Sequence, residues 1–244
     1  MERCDYVNDA LKLIQNTEGL TFGTDALLLA GYINTRLKRG CELGGGSGII
    51  SMLLLTREKL KSAVSLEVQR EYSELTEKNA ELNGLCDKLT SLCADIRDYS
   101  CDEEFDIIYS NPPYMRSDSG KPNENDKKNI ARHEIHGGIS DFCSAAKRLL
   151  KYGGTFAVVY RPDRLIDLVY AMRENGIEPK RMTFVHADTD SEPSMVLIEG
   201  RKGGKSSLLL TKPLIIYKDK THNAYSDDMN YIMENGSFPS SFKR

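Results

Sequence analysis

A run of four glycines interrupted by one serine constrains the fold of this chain more than any other feature. The segment Glu42-Leu-Gly-Gly-Gly-Ser-Gly48 follows a short apolar stretch that begins at Arg39, and a helical pattern from Ile49 to Glu58 comes directly after it. Glycine admits positive φ and lets a ligand approach the backbone, so this loop is typical of the turn between a strand and a helix. A dinucleotide fingerprint would need glycine where Ile49 stands, and the spacing therefore disfavours an NAD site.

Strand and helix patterns alternate through the rest of the chain. Short apolar runs lie at 11–15, 63–66, 89–93, 105–109, 155–160 and 208–210, and helical patterns at 24–37, 69–83, 142–150 and 164–174. This alternation predicts a mostly parallel sheet covered by helices on both faces. Two further runs, 182–186 and 195–200, have no helix between them, which predicts a C-terminal antiparallel strand. We therefore predict an α/β, Rossmann-like fold with a seven-stranded sheet.

The length and composition predict one large domain. A core from 39 to 217 would carry an N-terminal extension at 1–38, built from a short strand and a helix, and a tail at 218–244. Hydrophobic residues make up 40% and charged residues 28%, as in soluble globular proteins. No apolar run reaches the ~18 residues of a membrane-spanning helix, and the first residues lack the apolar centre of a signal peptide, so we expect a cytoplasmic protein. Six cysteines without a CxxC pair favour neither zinc nor a redox dithiol, and no metal is predicted.

Acidic residues stand at the ends of the predicted strands around the glycine loop. Glu67 ends the next strand and could accept hydrogen bonds from two ribose hydroxyls. Asp95 follows the strand after that and could hold an adenine amino group, while Glu42 at the mouth of the loop suits an ammonium. S-adenosylmethionine carries all three groups and no phosphate. We therefore predict that this cofactor contacts Glu42, Gly44, Gly46, Gly48, Glu67 and Asp95.

The tetrapeptide Asn111-Pro-Pro-Tyr114 follows a strand that begins at Phe105. Proline has no N–H and ends the strand, so the tetrapeptide is expected at the carboxyl edge, where open α/β sheets bind ligands. The Asn111 oxygen and the Pro112 carbonyl could accept two N–H bonds from an amino nitrogen and stabilise the charge that develops on it. Tyr114 could stack on a planar substrate. We predict that Asn111, Pro112, Pro113 and Tyr114 are catalytic and that Asn111 also contacts the cofactor.

The charge is distributed unevenly along the chain. Residues 1–110 hold 12 basic and 19 acidic residues, a net of −7, whereas 111–217 hold 17 basic and 13 acidic, a net of +4. A partner with phosphates would therefore meet the middle of the chain, which includes a long polar segment at 115–138. Candidate phosphate contacts are Lys127, Lys128, Arg132, Arg161, Arg164, Lys180 and Arg181. An ordinary solvated-surface role stays open for each.

The glycine loop, Glu67, Asp95 and the tetrapeptide together resemble class I S-adenosylmethionine-dependent N-methyltransferases. Other segments narrow the resemblance to the tRNA1(Val) (adenine(37)-N6)-methyltransferase family, namely Phe22–Ala26, Ala131–Glu134, Arg161–Leu165 and Glu178–Arg181 through Val185-His186. The resemblance runs from about residue 8 to 217. It implies N6-methylation of the adenosine 3′ of a tRNA anticodon, and it adds Thr24 and Asp25 to the expected cofactor contacts. The triple glycine departs from relatives, which more often have one or two.

Other functions stay open. A protein-(glutamine-N5) methyltransferase uses the same tetrapeptide but carries a helical N-terminal domain, for which the residues before Arg39 leave little room. A guanine-N2 rRNA methyltransferase usually has a duplicated domain, and a DNA adenine methyltransferase needs a target-recognition domain. A non-catalytic RNA-binding module would not need Asn111 and Tyr114, so the presence of both residues disfavours this alternative. His133 and His186 are expected in structural or RNA-contact roles, because methyl transfer from a sulfonium needs no base before attack.

Overall fold

The computed structural model of the protein describes residues 2–8, 10–16, 23–34, 39–112 and 137–242. Several predicted functional residues lie outside these ranges: Pro113, Tyr114, Lys127, Lys128, Arg132 and His133. Their roles stay predictions.

The described elements follow the predicted alternation. The strands are β1 (Glu2–Asn8), β2 (Leu11–Asn16), β3 (Arg39–Leu43), β4 (Ser62–Glu67), β5 (Leu89–Cys93), β6 (Phe105–Ser110), β7 (Leu150–Tyr160), β8 (Ile177–His186), β9 (Pro193–Lys202), β10 (Leu209–Leu210) and β11 (Leu214–Ile215). The α-helices are α1 (Thr24–Tyr32), α2 (Ile49–Thr56), α3 (Arg70–Leu82), α4 (Ile139–Leu149), α5 (Leu165–Glu174) and α6 (Asp227–Asn235). Short 3₁₀ turns span Pro162–Arg164 and Ser240–Phe242. None of the helices in the described ranges is long and apolar enough to cross a membrane.

The main sheet has the strand order β5-β4-β3-β6-β7-β9-β8, with the two-residue strands β10 and β11 on the outer side of β8. Each neighbouring pair in the series β5-β4-β3-β6-β7 is parallel, and β9 is antiparallel to both β7 and β8. The predicted mostly parallel seven-stranded sheet with an inserted antiparallel strand is therefore confirmed. The apolar run predicted at 208–210 corresponds to β10, and the described residues add β11, a short strand that was not predicted.

Two hydrophobic layers cover the two faces of this sheet. On β6, Ile107 and Tyr109 pack in the cluster that holds α1 and α2, whereas Ile108, between them, packs in the cluster of α4 and α5. Successive side chains of a strand point to opposite faces, so one apolar strand supplies both layers. The helices lie on both faces, as the sequence predicts.

The N-terminal segment forms a hairpin that docks on α3. The side-chain amide of Asn79 donates to and accepts from the backbone of Ile14, and Asn83 does the same with Lys12, at distances of 2.7 to 3.0 Å. These residues lie one turn apart on α3, so their amides substitute for a neighbouring strand along β2. The sequence did not predict β1.

Helix α1 is shorter than predicted. It ends at Tyr32, and Ile33 already has an extended backbone. The buried ammonium of Lys59 donates to the carbonyls of Ala30 (2.7 Å), Gly31 (3.2 Å) and Ile33 (2.5 Å). A cation that satisfies these terminal carbonyls favours ending the helix here.

The segment after Tyr217 contains α6. The Ser226 hydroxyl caps its start by accepting the N–H of Met229 over 3.1 Å. Beyond the helix, the ring of Phe238 packs edge-on against Tyr32 with centroids 5.2 Å apart, and Phe242 is also buried in this cluster. No structure was predicted for this segment, and the domain boundaries at 38/39 and 217/218 stay predictions.

Candidate active site

The glycine loop leaves β3 and is attached to the end of β4. The amides of Gly44 and Gly45 both donate to the carbonyl of Leu66, at 2.9 and 3.0 Å. Gly44, Gly46 and Gly48 have positive φ of 71°, 56° and 77°. These backbone angles favour glycine at the three spaced positions.

Position 45, the second of the three consecutive glycines, requires glycine for a different reason. A Cβ on Gly45 would lie 1.8 Å from the hydroxyl oxygen of Ser65 on the neighbouring strand β4. No side chain fits there without displacing the strand. Above Gly46, by contrast, a Cβ would meet no atom of the described residues within 4 Å. The loop is therefore closed against β4 and open at Gly46.

Glu67 joins the loop to the start of α3. One carboxylate oxygen accepts the N–H of Gly46 at 3.0 Å, and the other accepts the N–H of Gln69 at 2.9 Å. The side chain is 5% exposed. A carboxylate has about four acceptor sites, so Glu67 can accept further hydrogen bonds from a ligand.

Glu42 lies behind the loop and not at its mouth, so that part of the prediction is wrong. The residue is 1% exposed, and its carboxyl accepts from the Ser51 hydroxyl (2.5 Å) and the Ser51 N–H (3.1 Å). The Ser51 hydroxyl is also within 2.7 Å of the Tyr109 hydroxyl. Burial raises the pKa of Glu42 to about 8, although the bonds from Ser51 lower it. Whether Glu42 contacts the cofactor stays a prediction.

Asp95 lies beyond the end of β5, where its acid is partly exposed. It accepts the backbone N–H and the guanidinium Nε of Arg97, each at 2.9 Å. These bonds hold the pKa of Asp95 below its ordinary range. Arg97 therefore favours the ionised form of Asp95 and orients its carboxylate. The residue lies at the carboxyl ends of the parallel strands, the edge that also carries the glycine loop.

Asn111 comes directly after β6, at the same edge. Its side-chain nitrogen donates to Asp25 at 2.7 Å. Its side-chain oxygen is buried and receives no hydrogen bond from any group in the described part of the chain. A buried acceptor without a donor is uncommon and costs about 1–3 kcal/mol, so this oxygen is available for a ligand N–H.

A cavity of about 380 Å³ is lined in part by Asp25. Its lining comes from the start of α1, the end of β7 and the start of β9, with Thr24, Asp25, Arg161, Ser194 and Met195. This volume is within the range of small-molecule sites. Thr24 and Asp25 line this cavity, and Asp25 also binds Asn111, but whether these residues contact the cofactor stays a prediction. The sequence did not predict Ser194 or Met195.

Arg181 is not a surface residue, and its prediction as a phosphate contact is wrong. Its side chain is 9% exposed, pairs with Glu199 at 2.8 Å and lies 3.7 Å above the ring of Tyr32. It also donates to the Tyr32 carbonyl at 2.6 Å. A buried guanidinium held by these partners stabilises the core and cannot reach a phosphate.

The other candidate phosphate contacts in the described residues lie at two different edges of the sheet. Arg161 binds Asp163 through two nitrogens, at 2.9 and 2.6 Å, and Arg164 pairs with Asp167. Lys180 lies near the start of β8 and lines a second cavity with Asp106 and Lys151. That cavity is at the amino edge of the parallel strands, opposite Asn111.

Comparisons with solved structures identify the fold. A crystal structure described as a predicted O-methyltransferase from Agrobacterium tumefaciens matches with a TM-score of 0.72 at 21% identity, covering 88% of this chain and 98% of the other. A geranyl diphosphate C-methyltransferase from Streptomyces coelicolor, solved with Mg²⁺, geranyl diphosphate and S-adenosyl-L-homocysteine, matches at 0.55 and 15% identity, covering 73% and 77%. The two proteins are named for different acceptor atoms, so the shared fold alone does not identify an acceptor for this chain.

Sequence comparisons identify the family. Residues 17–169 match the family model described as Methyltransferase small domain, and the chain belongs to this family. It is 28% identical over 177 residues to the tRNA1(Val) (adenine(37)-N6)-methyltransferase of Phocaeicola vulgatus, covering 72% of this chain and 74% of that protein. The protein of the same description from Parabacteroides distasonis is 27% identical over 182 residues, covering 72% and 75%. The resemblance and the predicted class, an S-adenosylmethionine-dependent methyltransferase, are confirmed.

The described residues fit this cofactor. The loop is open at Gly46, where no side chain occupies the space next to the backbone. Glu67 stands beside it with unused acceptor sites, and Asp95 is held as a carboxylate. Hydroxyls and an amino group are hydrogen-bond donors, so these acceptors complement the sugar and base of the cofactor.

Proposed function

We propose that this protein transfers a methyl group from S-adenosylmethionine to the exocyclic N6 of an adenine in tRNA. The observation that carries the proposal is the buried side-chain oxygen of Asn111, which no described group satisfies. It lies at the carboxyl edge of the sheet, next to the glycine loop. The names of the similar proteins from Phocaeicola vulgatus and Parabacteroides distasonis support adenine N6 as the acceptor.

The cofactor contacts would come from residues on three neighbouring strand ends. Gly44, Gly46 and Gly48 would line its methionine part, Glu67 would accept from the ribose hydroxyls, and Asp95 would accept from the adenine amino group. When bound, S-adenosylmethionine supplies an electrophilic methyl group on a sulfonium. Glu42 would support the loop from beneath through its hydrogen bonds with Ser51, since it is enclosed by Ser51 and Tyr109.

Asn111 would orient the nucleophile. The amino nitrogen of adenine is a weak nucleophile because its lone pair is delocalised into the ring. The Asn111 oxygen would accept one N–H, the Pro112 carbonyl the other, and both would stabilise the positive charge that develops on nitrogen during transfer. Acceptors fixed in advance cost no reorganisation when that charge appears.

The cavity beside Asp25 would receive the target nucleotide. An unpaired adenine in a loop avoids the few kcal/mol that extruding a duplex base costs. Tyr114 would stack on the base, and Arg161, which lines the cavity, would lie close to the backbone of the RNA. Lys127, Lys128, Arg132 and Arg164 stay candidate phosphate contacts.

Incubation of the protein with isotope-labelled cofactor and purified tRNA, followed by mass spectrometry of the nucleosides, tests the proposal. We expect label in N6-methyladenosine with wild type and with Asn230→Ala, an exposed control, and none above background with Asn111→Ala. Label in guanosine, or only in a glutamine of a co-incubated translation factor, would assign the enzyme to one of the alternative substrates.

A further inference from the structure

We propose that Asp25 is a positioning residue that fixes the orientation of the Asn111 side-chain amide, and so determines that Asn111 presents an oxygen to the substrate. The hydrogen bond between Asp25 and Asn111 is seen in the described geometry, whereas its effect on methyl transfer rests on the proposed function. It gives Asp25 a role different from the cofactor contact that the resemblance implies.

The geometry permits only one orientation of the amide. Asp25 lies in the first turn of α1, where one carboxylate oxygen accepts the N–H of Ala26 at 2.9 Å. Its other oxygen is 2.7 Å from the side-chain nitrogen of Asn111. An ionised carboxylate offers acceptors and no donor, so the NH₂ group of Asn111 must face it. The Asn111 oxygen is therefore turned away from Asp25.

The side-chain oxygen of Asn111 accepts no hydrogen bond from any described group. Without a charged partner, the two ends of an asparagine amide are nearly equal in shape, and only hydrogen bonds select between them. A flipped amide would aim its own N–H groups at the N–H groups of the substrate. The acceptor that the reaction needs would then be replaced by a repelling donor.

The carboxylate has a second effect on the same amide. A charge-assisted hydrogen bond to the NH₂ group polarises the amide and increases the negative charge on its oxygen. The Asn111 oxygen then binds more strongly to a nitrogen on which positive charge develops. Orientation and polarisation both favour the transition state.

Two substitutions of Asp25 and one matched control test this role. Asp25→Ala removes the acceptor, and Asp25→Asn preserves the shape but lets the pair of amides adopt either orientation. Asp87→Asn makes the same chemical change at an exposed residue before β5, near the amino edge of the sheet. We expect both Asp25 variants to lower the single-turnover rate about 10²-fold, comparable with loss of a transition-state hydrogen-bonding group. Cofactor affinity should stay within twofold of wild type.

The double variant separates positioning from a merely structural role. If Asp25 acts through Asn111, adding Asn111→Ala to Asp25→Ala should lower the rate by less than threefold more. If the rate losses of Asp25→Ala and Asn111→Ala multiply in the double variant, the proposal is overturned. It is also overturned if Asp25→Ala lowers the cofactor affinity as much as it lowers the rate.

A measurement without substrate distinguishes failure of this inference from failure of the proposed function. The side-chain amide resonance of Asn111 in a ¹⁵N spectrum is identified by its loss in Asn111→Ala. We expect it to be shifted downfield in wild type and in Asp87→Asn, and to move towards the free-amide position in Asp25→Ala. An unchanged resonance in Asp25→Ala overturns the positioning role. Absence of RNA methylation by wild type overturns only the proposed substrate, and the spectrum still decides the role of Asp25.

Discussion

Glu67 and Gly46 are joined by a hydrogen bond of 3.0 Å, from the backbone N–H of the loop to the carboxylate at the end of β4. The second carboxylate oxygen accepts the N–H of Gln69 at the start of the next helix. The group proposed to bind the ribose therefore also shapes the loop beneath the methionine part. A substitution here should affect cofactor binding through both contacts.

Glu67→Ala should weaken S-adenosylmethionine binding tenfold or more. Hydrogen bonds to a charged acceptor are each worth ~1.5–3 kcal/mol, and the loss of two exceeds the 1.4 kcal/mol of a tenfold change. Isothermal titration calorimetry measures the affinity, with Glu71→Ala as an exposed control on α3. An unchanged affinity in a folded Glu67→Ala variant would exclude the residue from the cofactor site.

Asn111→Ala should abolish most turnover and leave cofactor affinity within a few-fold of wild type. Its oxygen matters chiefly as charge develops on the nucleophile, where the loss of one stabilising group costs about 10²–10³ in rate. Single-turnover measurements at saturating cofactor check this. A rate close to that of wild type would remove Asn111 from the chemical step.

The buried carboxyl of Glu42 should make stability depend on pH. Its pKa of about 8 lies above the ordinary value of 4.5, so the folded state binds the proton more tightly than the unfolded state. The contribution is full below pH 4.5 and is lost as pH rises towards 8. Between pH 5 and 8, wild type should therefore lose free energy of unfolding relative to Glu42→Gln, which keeps the shape and cannot ionise.

Urea unfolding at pH 5, 6.5 and 8 measures this difference. Glu199 is partly buried, which raises its pKa, and it contributes in the same direction to both proteins. The gap between wild type and Glu42→Gln isolates Glu42. Parallel pH profiles would mean that Glu42 is ionised in the folded protein.

The parts of the fold that depend on local pattern could be predicted. The glycine loop marks the first βα turn because positive φ excludes most side chains, and the helix before Gly84 ends where the sequence predicts. Strand β11 has two residues, Leu214–Ile215, and carries no periodic signal. It exists through pairing with β8, which only the tertiary structure determines.

The same distinction applies to the site. Glu67 and Asn111 could be placed together because the carboxyl ends of parallel strands share an edge. The contact of Asn111 with Asp25 joins residues 86 positions apart and has no local signal. Lys180 and Arg181 look like one basic pair in the sequence. On β8, Arg181 is buried against Tyr32 and Glu199, whereas Lys180 lines a cavity.

Arg181→Ala should destabilise the fold by about 3–5 kcal/mol, because it leaves Glu199 buried without its cation. Lys180→Ala, at the adjacent position, should change the free energy of unfolding by roughly 0.5 kcal/mol or less, as surface substitutions usually do. Chemical denaturation compares the two. Adding Glu199→Gln to Arg181→Ala should recover part of the loss, since it removes the unpaired charge. Equal stabilities of the two single variants would contradict a structural role for Arg181.

The last prediction concerns the substrate class and rests on the net charge of +4 over residues 111–217. Cations that contact phosphates release counterions, so log affinity for single-stranded RNA should fall with log salt at ~0.7 per contact. Lys127→Ala/Lys128→Ala should lower RNA affinity and reduce this slope by about 1.4 if both contact phosphates. Lys88→Ala, an exposed residue just before β5 at the opposite edge of the sheet, should leave the slope unchanged, and neither variant should alter cofactor affinity. A glutamine substrate in a protein would give a much shallower dependence, because a protein has no dense phosphate charge. An affinity for tRNA that stays flat between low and physiological salt would overturn the RNA assignment and leave the methyltransferase assignment intact.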